Sequence, residues 1–364
     1  MKIAQIAPLI EAVPPRLYGG TERVVAYLSD ELVRMGHDVT LFASGDSVTS
    51  AELVVCAAKA LRLDPIFHDP ITHYMLMLDR LRDCADDFDI LHFHIDQFHF
   101  PLFKSLANRT VTTLHGRQDV ADLRALYFGF PEMPLVSVSD DQRRPVSKAN
   151  FVGTVYHGLP PHLYKPVFQP RGDYVAFLGR ISPEKRPDRA IRIARALSIP
   201  LKIAAKVDRA DETYFREQIA PLLDGSGVEF IGEINGSAKT EFLCGAGALL
   251  FPIDWPEPFG LVMIEAMACG TPVLAFRSGS VPEVIDNGLT GHIVNTEEEA
   301  IQMLPAVLAL DRRAVHRRFE ERFSATRMAK DYVQIYRSLL KRRLLTDADH
   351  DIREVRAVLQ ETVN

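Results

Sequence analysis

Short, almost wholly apolar runs alternate along this chain with longer stretches whose apolar residues recur at helical spacing. In the first half the pattern predicts strands over Lys2 to Pro8, Asp38 to Ala43, Ile90 to Phe93, Thr110 to Leu114 and Leu135 to Ser139, with a helix over Thr21 to Met35. Such strands, bounded by amphipathic helices, mark parallel sheets covered on both faces. The pattern restarts at Tyr174-Val-Ala-Phe-Leu-Gly179 and continues with a Pro-initiated helix from Pro187, strands over Leu201 to Ala205 and near Val228 to Ile231, and an apolar run from Ala248 to Ile253. Between the two runs, His157 to Pro166 and Pro170-Arg-Gly172 have the Pro and Gly density of a linker, which sets a boundary near residue 168. Two Rossmann-like α/β units are expected, 1–168 and 169–327, followed by helices over 328–364. In Met328 to Arg343 the residues Tyr332, Ile335, Tyr336, Leu339 and Leu340 form one apolar stripe, and Ile352, Val355, Val358 and Leu359 keep helical spacing in the tail.

The most informative segment is Trp255-Pro-Glu-Pro-Phe-Gly-Leu-Val-Met-Ile-Glu-Ala-Met-Ala-Cys-Gly-Thr-Pro-Val-Leu274. It reads as a turn leaving a buried strand, then a helix from near Phe259 to Cys269 with Gly270 as its stop, then another strand. A helix start presents free backbone N–H groups, so a phosphate can sit over Phe259, Gly260 and Leu261. Glu257 and Glu265 flank that start, eight residues apart. Eight helical residues rise roughly 12 Å, about the span of a diphosphate with a hydroxylated ring at each end, and carboxylates accept hydrogen bonds from ring hydroxyls. A merely solvated Glu265 is the plainer reading, but Met263, Ile264, Ala266 and Met267 surround it with apolar neighbours.

This segment resembles the Glu-x7-Glu motif of the retaining GT-B glycosyltransferases, specifically glycosyltransferase family 4, and the resemblance extends over residues 1 to about 340. It implies two Rossmann-like domains whose parallel sheets face each other across a cleft, with a C-terminal helix crossing back to the first domain. By resemblance, Glu257 contacts the donor sugar, the amides of Phe259 to Val262 contact the diphosphate, and Glu265 holds the ribose hydroxyls. In Gly179-Arg-Ile-Ser-Pro-Glu-Lys185, at the carboxyl end of the strand that opens the second half, Arg180 and Lys185 match the family's pair that neutralises the leaving diphosphate. Gly19 and Gly20 match a loop that closes over that diphosphate, although a flexible turn before Thr21 explains them equally well. His115, after Val111-Thr-Thr-Leu114, matches a histidine beside the donor sugar. Lys206 ends a strand and faces the donor by the same comparison, with Ala205 where relatives commonly have Gly.

Composition narrows the alternatives. The chain of 364 residues is 47% hydrophobic and 25% charged, with a net charge of −6, which speaks against a protein adapted broadly to nucleic acid or anionic lipid. The basic stretches Arg337 to Arg343 and Arg143 to Lys148 read as solvated helix faces. Cys56, Cys84, Cys244 and Cys269 are widely spaced and are expected to be reduced and buried. With no apolar stretch of membrane-spanning length and an N-terminus that reads as a strand, a soluble cytoplasmic protein is expected. Asp87-Phe-Asp89 and the cluster His92, His94, Asp96 and His99 look like metal ligands. Family members carry a similar run without a metal role, so no metal and no cofactor are expected.

The expected activity is transfer of a hexosyl group from a UDP- or GDP-sugar to a hydroxyl acceptor, with retention and without a metal. The family's same-face mechanism lets a leaving-group phosphate oxygen take the acceptor proton, so no protein base is named. A small molecule or saccharide acceptor is favoured over a lipid. A silent sugar-nucleotide-binding subunit, a GT-B phosphorylase and an epimerase remain open alternatives.

Overall fold

The computed structural model describes residues 1–16, 19–64, 69–170, 172–225, 227–234 and 236–361, with 344–361 as helix backbone. Leu17 and Tyr18 of the glycine loop, and the tail side chains Ile352, Val355, Val358 and Leu359, lie outside the described residues.

The first sheet contains β1 (Lys2–Ile6), β2 (Asp38–Ser44), β3 (Glu52–Ala57), β4 (Ile90–Phe93), β5 (Thr110–Thr113), β6 (Leu135–Ser137) and β7 (Phe151–Thr154). Its neighbours all pair parallel in the order β3-β2-β1-β4-β5-β6-β7. The second contains β8 (Val175–Arg180), β9 (Leu201–Lys206), β10 (Val228–Gly232), β11 (Ala248–Phe251), β12 (Val273–Phe276) and β13 (Gly291–Val294), again parallel, in the order β10-β9-β8-β11-β12-β13. The winding reverses between β1 and β4 and between β8 and β11. Open α/β sheets bind ligands outside the carboxyl ends of the strands at such a reversal.

Packing follows the sequence periodicity. The helix Gly20–Arg34 buries Val24, Leu28 and Leu32, one per turn, in the core that contains Ile3, Val39 and Ile90. The final helix, Ala325–Glu361, returns to the same core: Met328, Tyr332 and Tyr336 are fully buried there, and Leu339 is nearly so. That crossing is secured at its start, where Leu159 donates to Phe323 O at 2.8 Å and Ala325 donates to Leu159 O at 2.9 Å. Among the described residues no helix is long and apolar enough to cross a membrane.

Three edge strands, β3, β7 and β13, were not legible in the apolar pattern. Each has one neighbour and carries polar or glycine positions: Glu52 in β3, Gly153 and Thr154 in β7, Gly291 and His292 in β13. The helix expected from near Phe259 instead runs Leu261–Ala268. Gly260 explains the shift. It takes φ 79°, a left-handed conformation that glycine adopts without strain, and so starts the helix one residue later.

Candidate active site

The carboxyl ends of both sheets open onto one cleft of about 460 Å³. The sequence-predicted residues Gly19, Gly20, His115, Arg180, Lys185, Lys206, Glu257, Phe259, Gly260, Leu261, Val262 and Glu265 all line it. The two halves meet closely at its edge, where a Cβ on Gly20 would stand 3.5 Å from Leu261 Cδ1.

The loop 255–259 is held from behind. Ser278 Oγ donates to Trp255 O at 2.6 Å, Ser280 N–H to Glu257 O at 3.0 Å, Ser280 Oγ to Phe259 O at 2.8 Å, and Ser139 Oγ, from the first half, to Pro258 O at 2.7 Å. Gly279, at φ 53°, lies so near that a Cβ would be 2.4 Å from the nitrogen and oxygen of Glu257. With its carbonyls bonded to these serines, the loop keeps Glu257, Pro258 and Phe259 on the cleft wall, followed there by Gly260, Leu261 and Val262. Met263 N–H folds back on Gly260 O at 3.0 Å, so Leu261 and Val262 supply the first unpaired amides expected at the helix start.

Glu257 Oε2 accepts from Lys185 Nζ and from Trp255 Nε1, the latter at 2.9 Å, and Lys185 Nζ also stands 5.0 Å from the Trp255 ring centroid. Arg180 has Asp211, Glu184 and Asp208 at 3.4, 3.5 and 3.8 Å, and Lys206 pairs with Asp208 at 2.7 Å. The cations expected to face a diphosphate are thus embedded among carboxylates that hold their geometry and moderate their charge. At the other end of the cleft, buried Glu265 pairs with buried Lys239. Burial alone would push the Glu265 carboxyl up, yet Lys239 and Arg23 hold it below the usual value and so ionised. Burial pulls Lys239 down against the attraction of Glu265.

Lys239, Arg23 and His157 are cleft residues that sequence reasoning missed, as were the serines behind the loop. Lys239 and Arg23 sit on helices with no motif of their own. His157 was read as part of a linker, but it is buried, its ring stacks with that of His115 at 5.4 Å, and it meets Phe259 edge-on at 4.8 Å. Ser278-Gly-Ser280 follows the carboxyl end of β12 and was legible only by position. Residues of the candidate ligand run have hydrogen-bond partners from other elements: Asp89 accepts from Lys2 N–H at 2.8 Å, His99 Nε2 meets Thr112 Oγ1 at 2.9 Å, and His92 and His94, with ring centroids 4.1 Å apart, enter one buried network below the cleft.

Burial holds His92, His94, His99, His115 and His157 below the ordinary histidine value, His115 down to about 3. In the unfolded chain these imidazoles bind protons as pH drops through about 6.5. The folded chain refuses them, so stability is complete above that value and falls below it, by up to about 1.4 kcal/mol per pH unit for each histidine that stays neutral. Urea midpoints should therefore hold near neutrality and drop clearly by about pH 5.5. An unchanged midpoint there would mean that these rings protonate in place.

Two family models match the chain in succession, Glycosyltransferase Family 4 over residues 18–144 and Glycosyl transferases group 1 over residues 164–320. The chain belongs to glycosyltransferase family 4. This family 4 chain is 24% identical over 371 residues to N-acetyl-α-D-glucosaminyl L-malate synthase of Bacillus anthracis, covering 89% of this chain and 95% of that one. Sucrose-phosphate synthase from Thermosynechococcus elongatus superposes with a TM-score of 0.76 at 20% identity, over 93% of this chain and 99% of that one. Anabaena HepE, solved with UDP and glucose, superposes with a TM-score of 0.70 at 18% identity, over 93% and 100%. These superpositions fix the GT-B fold, and the family models fix the glycosyltransferase class.

Proposed function

We propose that this glycosyltransferase moves a hexosyl group from a nucleoside diphosphate sugar, UDP- or GDP-linked, to an acceptor hydroxyl, with retention and without a metal ion. The observation that carries this reading is the meeting, in one cleft, of Glu257, the Gly260 helix start, Arg180, Lys185 and Glu265. In this reading Glu265 takes the ribose hydroxyls, the amides of Leu261 and Val262 with Arg180, Lys185 and Lys206 take the diphosphate, and Glu257 and His115 take the sugar. Fixed cations and amides stabilise the departing diphosphate, the task a metal performs elsewhere. The first unit, with its boundary near residue 168, holds the acceptor. A leaving-group oxygen accepts the proton of the attacking hydroxyl on the same face. The HepE structures, which contain UDP, glucose or UDP-glucose, support the donor class.

The test supplies UDP- and GDP-hexoses with a panel of small and saccharide acceptors, with and without chelator. Expected are acceptor-dependent release of nucleoside diphosphate, a product with the donor's anomeric configuration by proton NMR coupling, and no loss of rate with chelator. An inverted product, a chelator-sensitive rate, or tight donor binding without turnover would each refute the corresponding part of the reading.

A further inference from the structure

Behind His115, on the side away from the cleft, buried polar side chains form a continuous chain through the first sheet. His115 Nε2 lies 2.9 Å from His94 Nδ1, and His94 Nε2 lies 2.8 Å from Gln5 Oε1. Gln5 Nε2 donates to the Tyr336 hydroxyl oxygen at 3.3 Å. That hydroxyl is 2.7 Å from His92 Nδ1, whose Nε2 is 2.7 Å from Thr113 Oγ1, and Tyr332 closes on Thr113 at 2.9 Å. The parallel register brings these groups together: Gln5 on β1 lies opposite His92 on β4, and His94 follows two residues later. The returning helix covers them with Tyr332 and Tyr336.

The directions of these bonds are linked. An amide oxygen only accepts, so His94 carries its proton on Nε2. Buried and neutral, His94 then has a lone pair on Nδ1. A lone pair 2.9 Å from His115 Nε2 requires the proton to be on that nitrogen. His115 is neutral as well, which leaves the lone pair on Nδ1, the remaining polar atom of a ring that lines the cleft.

We propose that Gln5 and His94 are positioning residues that fix His115 as the Nε2–H tautomer, so that it meets the donor sugar as a hydrogen-bond acceptor. The inference rests on the reading of His115 as a sugar contact. It adds a specificity: the sugar must present a donating hydroxyl at that point, and a donor sugar with fluorine there is discriminated against.

Two-bond proton–nitrogen NMR of the full chain labelled in histidine reads each tautomer directly, with the His115 signals assigned by their loss in His115→Ala. The expected His115 spectrum has a protonated Nε2 and an unprotonated Nδ1. In His94→Phe the single tautomer should be lost and kcat should fall about tenfold, the worth of one hydrogen bond, with donor KM little changed. His94→Gln, whose amide oxygen can accept from His115, should recover most of the rate. A wild-type His115 protonated at Nδ1, the arrangement with the Gln5 amide reversed, overturns the proposal. So does His94→Phe with wild-type turnover. Full activity in His115→Ala would instead sink the sugar contact, a separate failure from a wrong tautomer.

Discussion

Replacing Glu257 with alanine should lower kcat by about a thousandfold, roughly 4 kcal/mol of transition-state stabilisation. Glu257 Oε2 is held by Lys185 and by the Trp255 indole N–H, and its backbone is clamped by Ser280 and packed against Gly279. So much fixation of one carboxylate at a cleft wall serves a group whose position matters to the reaction, because a preorganised charge needs no rearrangement as the sugar becomes positive. Glu257→Gln keeps the size and an acceptor for Trp255 but removes the charge, and should lose about a hundredfold. Initial rates alongside thermal unfolding curves separate chemistry from folding. An alanine variant that folds normally and retains more than about a tenth of the rate would remove Glu257 from the machinery.

The second large effect is expected at Lys185. Lys185→Ala removes a cation from the proposed diphosphate end and leaves Glu257 with the Trp255 indole but without its cationic partner, a double loss that should cost about two to three orders of magnitude in kcat/KM. Arg180→Ala should cost somewhat less, about a hundredfold, since Lys185 and Lys206 remain beside it. The two effects differ in kind. Arg180 is tied to Asp211, Glu184 and Asp208, none of which is placed here on the substrate, so its loss should weaken diphosphate binding while leaving Glu257 in place. Comparing a nucleoside diphosphate with the bare nucleoside checks this. If Arg180→Ala weakens both equally, Arg180 does not serve the phosphates.

Much of this was legible in the chain, for physical reasons. Strands announce themselves where apolar residues dominate, which is why β1, β2, β4, β5, β6, β8, β9 and β11 stand out; of the four edge strands β10 was expected near Val228 to Ile231, and β3, β7 and β13 were not. The turn and helix of segment 255–274 were legible because their signals are local, a glycine at the helix start and two carboxylates within one turn-and-helix. Long-range pairing was not. Nothing near Lys239 announces that it will meet Glu265 across 26 residues, and nothing in Ser139 says that it will hold Pro258 O across 119. The histidine-rich stretch shows the same limit from the other side. His92, His94 and His99 have ligand-like spacing, but their partners Gln5, Thr112, Thr113 and Tyr336 come from other strands and the last helix. The apolar stripe on that helix foretold its burial, and the strand alternation foretold that His92 and His94 share a side. That the two tyrosines of the stripe also complete a polar network was visible only in three dimensions.

The central claim is that the interdomain cleft takes a nucleoside diphosphate through Arg180, Lys185, the Gly260 helix start and Glu265. Calorimetric titration of UDP and of GDP into the wild-type chain and into Arg180→Ala and Glu265→Ala tests it most directly. Single-site binding of one nucleotide, weakened at least about tenfold by each substitution, is the predicted result. Binding of either nucleotide that both variants retain at full strength would contradict it.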